Sequence, residues 1–202
     1  MFYEPRHGHG LPHDPFKAIV APRPIGWIST RREDGAFNLA PYSYFNAISS
    51  HPPLVWFSSE GVKDSAVIAR ETGEFTVNLV SRNLAEKMLE TSIDAPPGTS
   101  EFELAGLTPA PGKLVSCPRV AEAPAALECR VTEVLEPRDL RGDLTGAIVV
   151  MGEVVGVHID EAMLREGLFD VAKVQNLSRL GYMDYAAPGE IFSMRRPRWQ
   201  DR

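Results

Sequence analysis

The sequence lacks the features of several common protein classes. It contains only 2 cysteines in 202 residues, Cys117 and Cys129, and no CxxC spacing, which excludes a disulfide scaffold. No apolar run approaches the roughly 20 residues of a transmembrane helix, so we expect no membrane partner. The glycine patterns GxGxxG and GxxxxGK[ST] are also absent, so a bound nucleotide would be held by neither a Rossmann turn nor a Walker loop.

Basic charge is scarce as well. The formal net charge is −6 and the pI is about 5.4, and lysine and arginine are concentrated only in the C-terminal MRRPRWQDR. Because a nucleic-acid-binding surface needs a basic stripe, we expect no nucleic-acid partner. The N-terminal sequence has neither the basic start nor the apolar segment of a secretory signal, which predicts a cytoplasmic location.

The length of the chain suits one domain that buries its own core. We predict a single domain over residues 1–202, with an N-terminal arm at 1–15 and a C-terminal tail at 186–202. The arm holds three histidines, His7, His9 and His13, among glycines and prolines. No cysteine or carboxylate cluster accompanies them, so we predict no metal site.

Short apolar or alternating runs, which are typical of β-strands, dominate the body of the chain. Asp34-Gly35 is a hairpin signal between the first two runs. The predicted strands are Ile25–Ser29, Phe37–Ala40, Leu54–Ser58, Phe75–Val80, Ala126–Leu135, Ala147–Val150 and Glu153–Ile159.

Helical spacing is confined to short segments. The predicted helices are Ser65–Thr72, with Asp64 or Ser65 as its N-cap, Leu84–Thr91, Glu101–Ala105 within a loop-like stretch over 92–112, and a helical turn at Glu161–Arg165. Because strands and helices do not alternate regularly, the pattern favours a closed or nearly closed antiparallel barrel with helical insertions.

One segment, NLAPYSYFNAISSHPPLVWFSS, combines small hydroxyl residues, an amide and aromatic rings. It has too many short polar side chains for a packing element and too few charges for a solvated surface. Such a mixture suits a planar aromatic ligand with a polar rim. Lys63-Asp64-Ser65 follows and offers a cation and a hydroxyl to an anionic tail. Together these features predict a flavin mononucleotide (FMN) site.

Five blocks of sequence carry a family resemblance. PRPIGWIST, NLAPYSYFNAISSHPPLVWFSS, KDS, GEFTVNLV and ALECRV, in this order, resemble the flavin reductase-like proteins of the FMN-binding split-barrel superfamily. The resemblance runs from about Ala21 to Tyr185 and is nearest to flavoredoxin and the reductase components of two-component monooxygenases. It implies a mainly β fold, a split antiparallel β-barrel of Greek-key type with a few short helices. It also implies a homodimer with one FMN per subunit, and a monooxygenase or another electron acceptor as partner.

The resemblance also implies cofactor-binding positions. A turn from Tyr44 to Ser49 would line the isoalloxazine ring with its backbone, and the KDS block would bind the phosphate, with the Asp64 side chain as a helix cap. Two of these residues have an alternative role without a cofactor: Asn46 as the stabiliser of an Asx-turn, and Arg179 as part of a surface ion pair. The full predicted set is Ser29 and Thr30 near the ribityl chain or flavin N5; Tyr44, Phe45, Asn46, Ala47, Ile48 and Ser49 at the ring; Lys63, Asp64 and Ser65 at the phosphate; and Arg179 near the flavin or the pyridine nucleotide.

One family feature is missing. Several reductases of the superfamily carry a histidine shortly before the GEV strand, where this chain has Gly146-Ala147-Ile148; His158 lies further along and is interpreted as structural. The first hypothesis is an NADH- or NADPH-dependent flavin oxidoreductase in which the flavin carries the chemistry and no side chain is catalytic. The missing histidine motivates the second, a non-catalytic FMN electron carrier reduced by a partner enzyme. A purely structural barrel, or a haem or pyridoxal phosphate binder, is the third.

Overall fold

The computed structural model describes residues 1–93, 95–96 and 99–201. Asp94, Pro97 and Gly98 of the predicted loop, and Arg202 of the predicted tail, lie outside the described residues. The strands are β1 (Arg23–Pro24), β2 (Gly26–Arg31), β3 (Phe37–Tyr42), β4 (Phe45–Ser50), β5 (Pro53–Glu60), β6 (Glu74–Asn78), β7 (Pro109–Ala110), β8 (Arg119–Val120), β9 (Ala125–Leu135), β10 (Ala147–Ile159), β11 (Leu164–Arg165), β12 (Leu168–Phe169), β13 (Ser178–Arg179) and β14 (Tyr185–Ala186).

Helices are short and lie between the strands. They are α1 (Phe16–Ile19), α2 (Asp64–Thr72), α3 (Ala85–Glu90), α4 (Glu101–Leu104) and α5 (Val171–Val174), with 3-10 turns at Pro5–His7, Arg82–Leu84, Glu161–Met163 and Trp199–Asp201.

The main element is a seven-stranded antiparallel sheet in the order β3-β2-β6-β9-β10-β5-β4. Its two edge strands, β3 and β4, follow one another in the chain and are joined only by Ser43-Tyr44. The sheet therefore curls until its edges approach, and several neighbouring strands are far apart in sequence. This curled antiparallel split barrel confirms the predicted mainly β fold class.

Alternation along β2 and β3 separates two hydrophobic cores. Ile28 faces the barrel interior together with Phe57 and Ala66 of α2, so α2 closes one side of the barrel. Trp27 and Leu39 face the opposite side, where α3 and α4 cover them. Because β2 is buried on both faces, successive side chains of this strand serve different environments.

Three predicted elements are wrong. The segment predicted as a turn from Tyr44 to Ser49 is mostly strand β4, because its backbone pairs with β5 and absorbs one extra residue in a bulge between Ala47 and Ser49. The two strands predicted over 147–159 form one strand, β10. Gly152 does not break it; a Cβ there would lie 2.6 Å from the Phe75 ring, so the glycine serves close packing. Only the first part of the helical turn predicted at Glu161–Arg165 is helical, since its last two residues pair as β11.

Candidate functional site

A cleft of about 400 Å³ opens where the β3–β4 connection faces the N-terminus of α2. Tyr44 lies on one wall, and Lys63, Asp64 and Ser65 lie on the other. Of the stretch predicted to line the ring, Tyr44 lines this cleft together with the predicted phosphate residues, whereas Phe45 to Ser49 continue along β4 and are not among the lining residues. The volume is within the usual range for small-molecule sites.

Polar side chains from the inner face of β3 form the floor of this cleft. Asn38 is buried, and its Nδ2 donates a 2.7 Å hydrogen bond to Ser65 Oγ. Burial raises the pKa of Tyr42, and hydrogen bonds to Ser65 and Ser59 offset this only in part, so the phenol stays protonated at neutral pH. Asn38 and Tyr42 were not predicted as site residues, although the period-two alternation of the NLAPY segment places both on one face.

The N-terminus of α2 has no side-chain cap, so the predicted caps are wrong. Lys63 is the N-cap residue in an extended conformation and makes no capping hydrogen bond. Asp64 Oδ2 instead pairs with Arg32 Nη2 at 2.7 Å. The Ser65 hydroxyl is held by Asn38. The first-turn N–H groups of α2 therefore have neither an intrahelical acceptor nor a capping side chain.

Two of the three carboxylates that line the cleft are paired with cations, Glu60 with Lys17 and Asp64 with Arg32. Lys17 Nζ lies 3.1 Å from Glu60 Oε2, and this hydrogen bond raises the pKa of Lys17. A third lining carboxylate, Glu101, accepts the Leu39 N–H at 3.1 Å. Among the described residues Lys63 makes no ion pair, so it is the lining cation available to an anion.

Ser29 and Thr30 point to opposite faces of β2. The Ser29 hydroxyl donates to the Pro118 carbonyl and accepts from Asn78 Nδ2, so its side chain serves the core and its predicted contact with the cofactor is not supported. Thr30 is fully buried, and its Oγ1 has no hydrogen-bond partner among the described residues. Thr30 is the direct cross-strand partner of Asn38, so both side chains lie on the face that carries the cleft.

The residues Phe45 to Ser49 form the free edge of the sheet beside the cleft. Tyr44 C=O accepts from Ser58 N–H at 2.8 Å, so the alternation of an antiparallel pair turns the main-chain groups of Phe45 and Ala47 away from β5. Asn46 Oδ1 accepts the N–H of the next residue, Ala47, at 2.8 Å, whereas the Asx-turn of its alternative role would bond the N–H two residues on. Ala47 and Ile48 are exposed, and the part of β4 from Phe45 to Ser49 spans about 13 Å.

Arg179 lies in a second cleft, of about 350 Å³, that adjoins the first. The two clefts share Lys17, Pro41, Ser43 and Ser92 as lining residues. The Arg179 guanidinium lies 4.4 Å from the centre of the Tyr185 ring and donates to the Tyr182 carbonyl. Within the described part of the chain Arg179 has no carboxylate partner, so the alternative of a surface ion pair is not observed.

Other polar features lie outside both clefts. His158 Nε2 contacts the buried Glu128 carboxylate, which agrees with the structural role predicted for His158. Residues 1–93, 95–96 and 99–201 contain no group of three histidine, cysteine or carboxylate side chains suited to a metal ion. Within these same ranges, no helix has the length and apolar character that a membrane crossing demands.

Comparison with known proteins identifies the family of this chain. The model of the flavin reductase like domain matches residues 20–178. The chain belongs to this family. A relative of this flavin reductase-like protein, the uncharacterized protein BH2278 of Halalkalibacterium halodurans, is 37% identical over 183 residues, which cover 88% of this chain and 87% of the relative.

Solved structures place the chain among the same proteins. Nitrilotriacetate monooxygenase component B from Bacillus cereus superimposes with a TM-score of 0.87 at 30% identity, over 96% of this chain and 98% of that protein. Flavoredoxin of Desulfovibrio vulgaris superimposes with a TM-score of 0.76 at 27% identity, over 86% of this chain and 90% of that protein. The resemblance inferred from the sequence is thereby confirmed.

Proposed function

We propose that this flavin reductase-like protein binds FMN in the first cleft and uses it to take a hydride from NADH or NADPH. The observation that carries the proposal is a set of unpaired polar groups at one end of the cleft. Lys63 has no ion partner in the described residues, and the first-turn N–H groups of α2 are uncapped.

These groups fit a phosphate. A helix N-terminus offers N–H donors and a favourable dipole to an anion, and the Lys63 ammonium adds a charge-assisted hydrogen bond. Asp64 would repel the phosphate, but its carboxylate is held by Arg32, so its contribution would come from the backbone. Ser65, which lines the cleft, would supply a hydroxyl group, and the pair of Arg32 with Asp64 moderates the negative charge nearby. Thr30 is fully buried and does not line the cleft, so its predicted contact with the cofactor stays a prediction.

The edge of β4 fits the ring of the flavin. The rim of an isoalloxazine needs both donors and acceptors. The outward N–H and C=O of Phe45 and the outward C=O of Ala47 would provide both at fixed positions, while the Ala47 N–H is already held by Asn46 Oδ1. Tyr44, Asn46, Ile48 and Ser49 would complete this wall. A bound flavin would supply the redox chemistry, since it can take a hydride from a reduced nicotinamide and deliver the two electrons to an acceptor.

The protein's part in this reaction is to bind and orient. No side chain is proposed as an acid or base, because holding two rings at close range in line is what hydride transfer requires. Arg179 in the adjoining cleft is placed to meet a molecule lying beside the flavin rather than the phosphate end.

The carrier hypothesis remains as the second candidate because of one position. Gly146-Ala147-Ile148 stands where several reductases have a histidine shortly before the GEV strand, and Ala147 of this segment pairs directly with Glu60, which lines the first cleft. The site therefore lacks an imidazole at a position close to the proposed flavin. If hydride transfer needs that group, the protein would only store and pass on electrons.

Turnover separates the two candidates. Purified protein mixed with FMN and either NADH or NADPH under air should oxidise the nicotinamide faster than the same mixture without protein. Saturable FMN binding without any added oxidation of NADH or NADPH would select the electron carrier. A matched Ala147→His variant tests the same position: a gain in rate would show that the missing imidazole limits hydride transfer.

We further propose that residues 1–202 act as one cytoplasmic domain that forms a homodimer and serves a monooxygenase or another electron acceptor. Support for the dimer comes from exposed apolar side chains in the segment that precedes Arg179 of the second cleft in sequence, among them Leu168 at 72% and Val171 at 42% exposure. Light scattering at micromolar concentration should give twice the subunit mass. A single-subunit mass would contradict the dimer.

A further inference from the structure

The second cleft has an unusual balance of charge. Three cations line it, Lys17, Arg23 and Arg179, and no described aspartate or glutamate lines it. The whole chain carries a formal net charge of −6, so a cleft with only positive side chains is not a consequence of composition. The first cleft, by contrast, is lined by three carboxylates.

The two arginines face each other across a strand pair. Arg23 of β1 is the direct cross-strand partner of Arg179 of β13. Side chains at such positions share one face of the ladder at about 5 Å between Cβ atoms, and like charges placed there repel each other. An anion between or beside them would remove this repulsion.

Arg23 is a buried charge without a counterion. Its side chain is only 6% exposed and donates to the carbonyls of Lys17, Val20 and Leu180, the last at 2.9 Å. Its Nε has no partner, and it makes no ion pair with any described residue. Carbonyl groups satisfy donors but carry no formal charge, so the guanidinium still lacks the compensation that a buried charge normally requires.

Arg179 presents its guanidinium to the cleft. Stacking on Tyr185 and the bond to the Tyr182 carbonyl fix the plane of the group. No other hydrogen bond of this guanidinium occurs among the described residues, so further N–H donors remain available. A planar guanidinium held in this way suits bidentate contact with a carboxylate.

The remaining walls are apolar and aromatic. Tyr182 and Met183 are 53% and 83% exposed, and the cleft is further lined by Ile25, Met88 and Leu89. A volume of about 350 Å³ is near the lower limit for small-molecule sites, so it suits a compact ligand.

We propose that the second cleft binds a small aromatic carboxylic acid, with Arg179 donating to the carboxylate and the ring against the apolar wall. Since the two clefts share Lys17, Pro41, Ser43 and Ser92, this acid lies beside the proposed flavin site. The binding step depends only on residues of the second cleft. It is therefore tested on protein with and without FMN, and its failure is distinct from failure of flavin binding.

The test is calorimetric titration with benzoate, benzamide and inorganic phosphate at low ionic strength. Benzoate should bind saturably, and its neutral isostere benzamide and the ring-free phosphate should each bind at least about tenfold more weakly. Arg179→Gln should weaken benzoate binding by roughly 10- to 150-fold. Arg82→Gln removes an exposed arginine outside this cleft and should leave benzoate binding unchanged.

Several results would overturn the proposal. These are the absence of saturable benzoate binding, equal binding by Arg179→Gln and the wild type, and benzamide or phosphate binding as strongly as benzoate. Thermal unfolding checks each variant, and if Arg179→Gln does not fold, Arg179→Lys replaces it. Lysine keeps the positive charge but lacks the planar guanidinium with its paired N–H donors, so benzoate affinity should still fall. An unchanged affinity would contradict the bidentate contact.

Discussion

Replacing Glu128 by glutamine should destabilise the barrel more than any comparable surface change. Glu128 is 1% exposed, and its carboxylate accepts the N–H groups of Lys113, Leu114 and Val115 as well as a contact from His158 Nε2. These bonds fasten the turn at 112–116 to strand β9. The amide of glutamine has one acceptor oxygen instead of two. Its NH2 group is a hydrogen-bond donor, so it would face backbone N–H groups without being able to accept their hydrogen bonds.

The pKa of Glu128 gives the magnitude. Burial alone would raise this pKa, but the hydrogen bonds from His158 and the three backbone N–H groups outweigh burial and lower it from 4.5 to about 2. That difference corresponds to about 3 kcal/mol of stabilisation by the ionised form. Because the pKa is lower in the folded state, the stabilisation is complete above about pH 4.5 and is lost as the pH falls toward 2.

Urea unfolding of the wild type and Glu128→Gln measures this difference. At pH 7 the variant should lose about 3 kcal/mol of unfolding free energy, and the gap should narrow as the pH falls below about 4.5. Glu122→Gln is the matched control, since the exposed Glu122 carboxylate also accepts a backbone N–H, from Thr108 at 3.1 Å, and its change should cost below about 1 kcal/mol. Equal losses in the two variants, or a gap that stays constant between pH 5 and pH 3, would refute the reasoning.

Three further predictions concern the site and the core. Lys63→Ala should weaken FMN binding roughly 10- to 150-fold in a flavin fluorescence titration, because a charge-assisted phosphate contact is lost. Gly26→Ala should lower the unfolding free energy by about 1–3 kcal/mol, because overpacking displaces Phe45; the added Cβ would lie 2.7 Å from the Phe45 ring. Burial raises the pKa of Cys117 to about 12 and raises that of Cys129 further, so neither thiol of the native protein should react with a thiol-specific reagent at pH 8.

Each of these has a control and a contradicting result. Lys113→Ala is the control for Lys63→Ala, because it removes an exposed lysine away from the clefts and should leave FMN affinity unchanged. Equal FMN affinity in the two variants would show that the phosphate does not bind at Lys63. Gly189 has nothing within 4 Å of an added Cβ, so Gly189→Ala should leave the unfolding midpoint unchanged. If Gly26→Ala behaves identically, the packing argument fails. In the denatured protein, both cysteine thiols should react with the reagent. Prompt labelling of the native protein would contradict the burial of Cys117 and Cys129.

Local patterns were sufficient to predict most of the strands and the proximity of Tyr44 to Lys63-Asp64-Ser65. The hairpin at Asp34-Gly35 joins β2 and β3, and the helix predicted at Ser65–Thr72 begins one residue earlier, at Asp64. Both depend on signals within a few residues, namely turn glycines and apolar spacing. The same is true of the juxtaposition of Tyr44 with the KDS block, because β5 links the two through a short connection.

What local patterns could not supply were choices made by tertiary contacts. The edge strand β4 was predicted as a turn because its exposed residues, Asn46, Ala47 and Ile48, show no alternation of polar and apolar side chains. Its strand conformation is decided by pairing with β5. The pairing of Asp64 with Arg32, which leaves α2 uncapped, depends on the approach of the β2–β3 hairpin. The different environments of Ser29 and Thr30 also depend on tertiary contacts. Because β2 is buried on both faces, the Ser29 hydroxyl is bonded within the core, whereas Thr30 lies on the face that carries the cleft.

FMN binding through its phosphate in the first cleft is tested by equilibrium titration of the flavin-free protein with FMN, followed by the visible spectrum and fluorescence of the flavin. We expect the titration to saturate at one FMN per chain. Riboflavin, which has no phosphate, should bind at least about tenfold more weakly than FMN. A flavin spectrum that does not change at any protein concentration, or equal affinities for FMN and riboflavin, would contradict it.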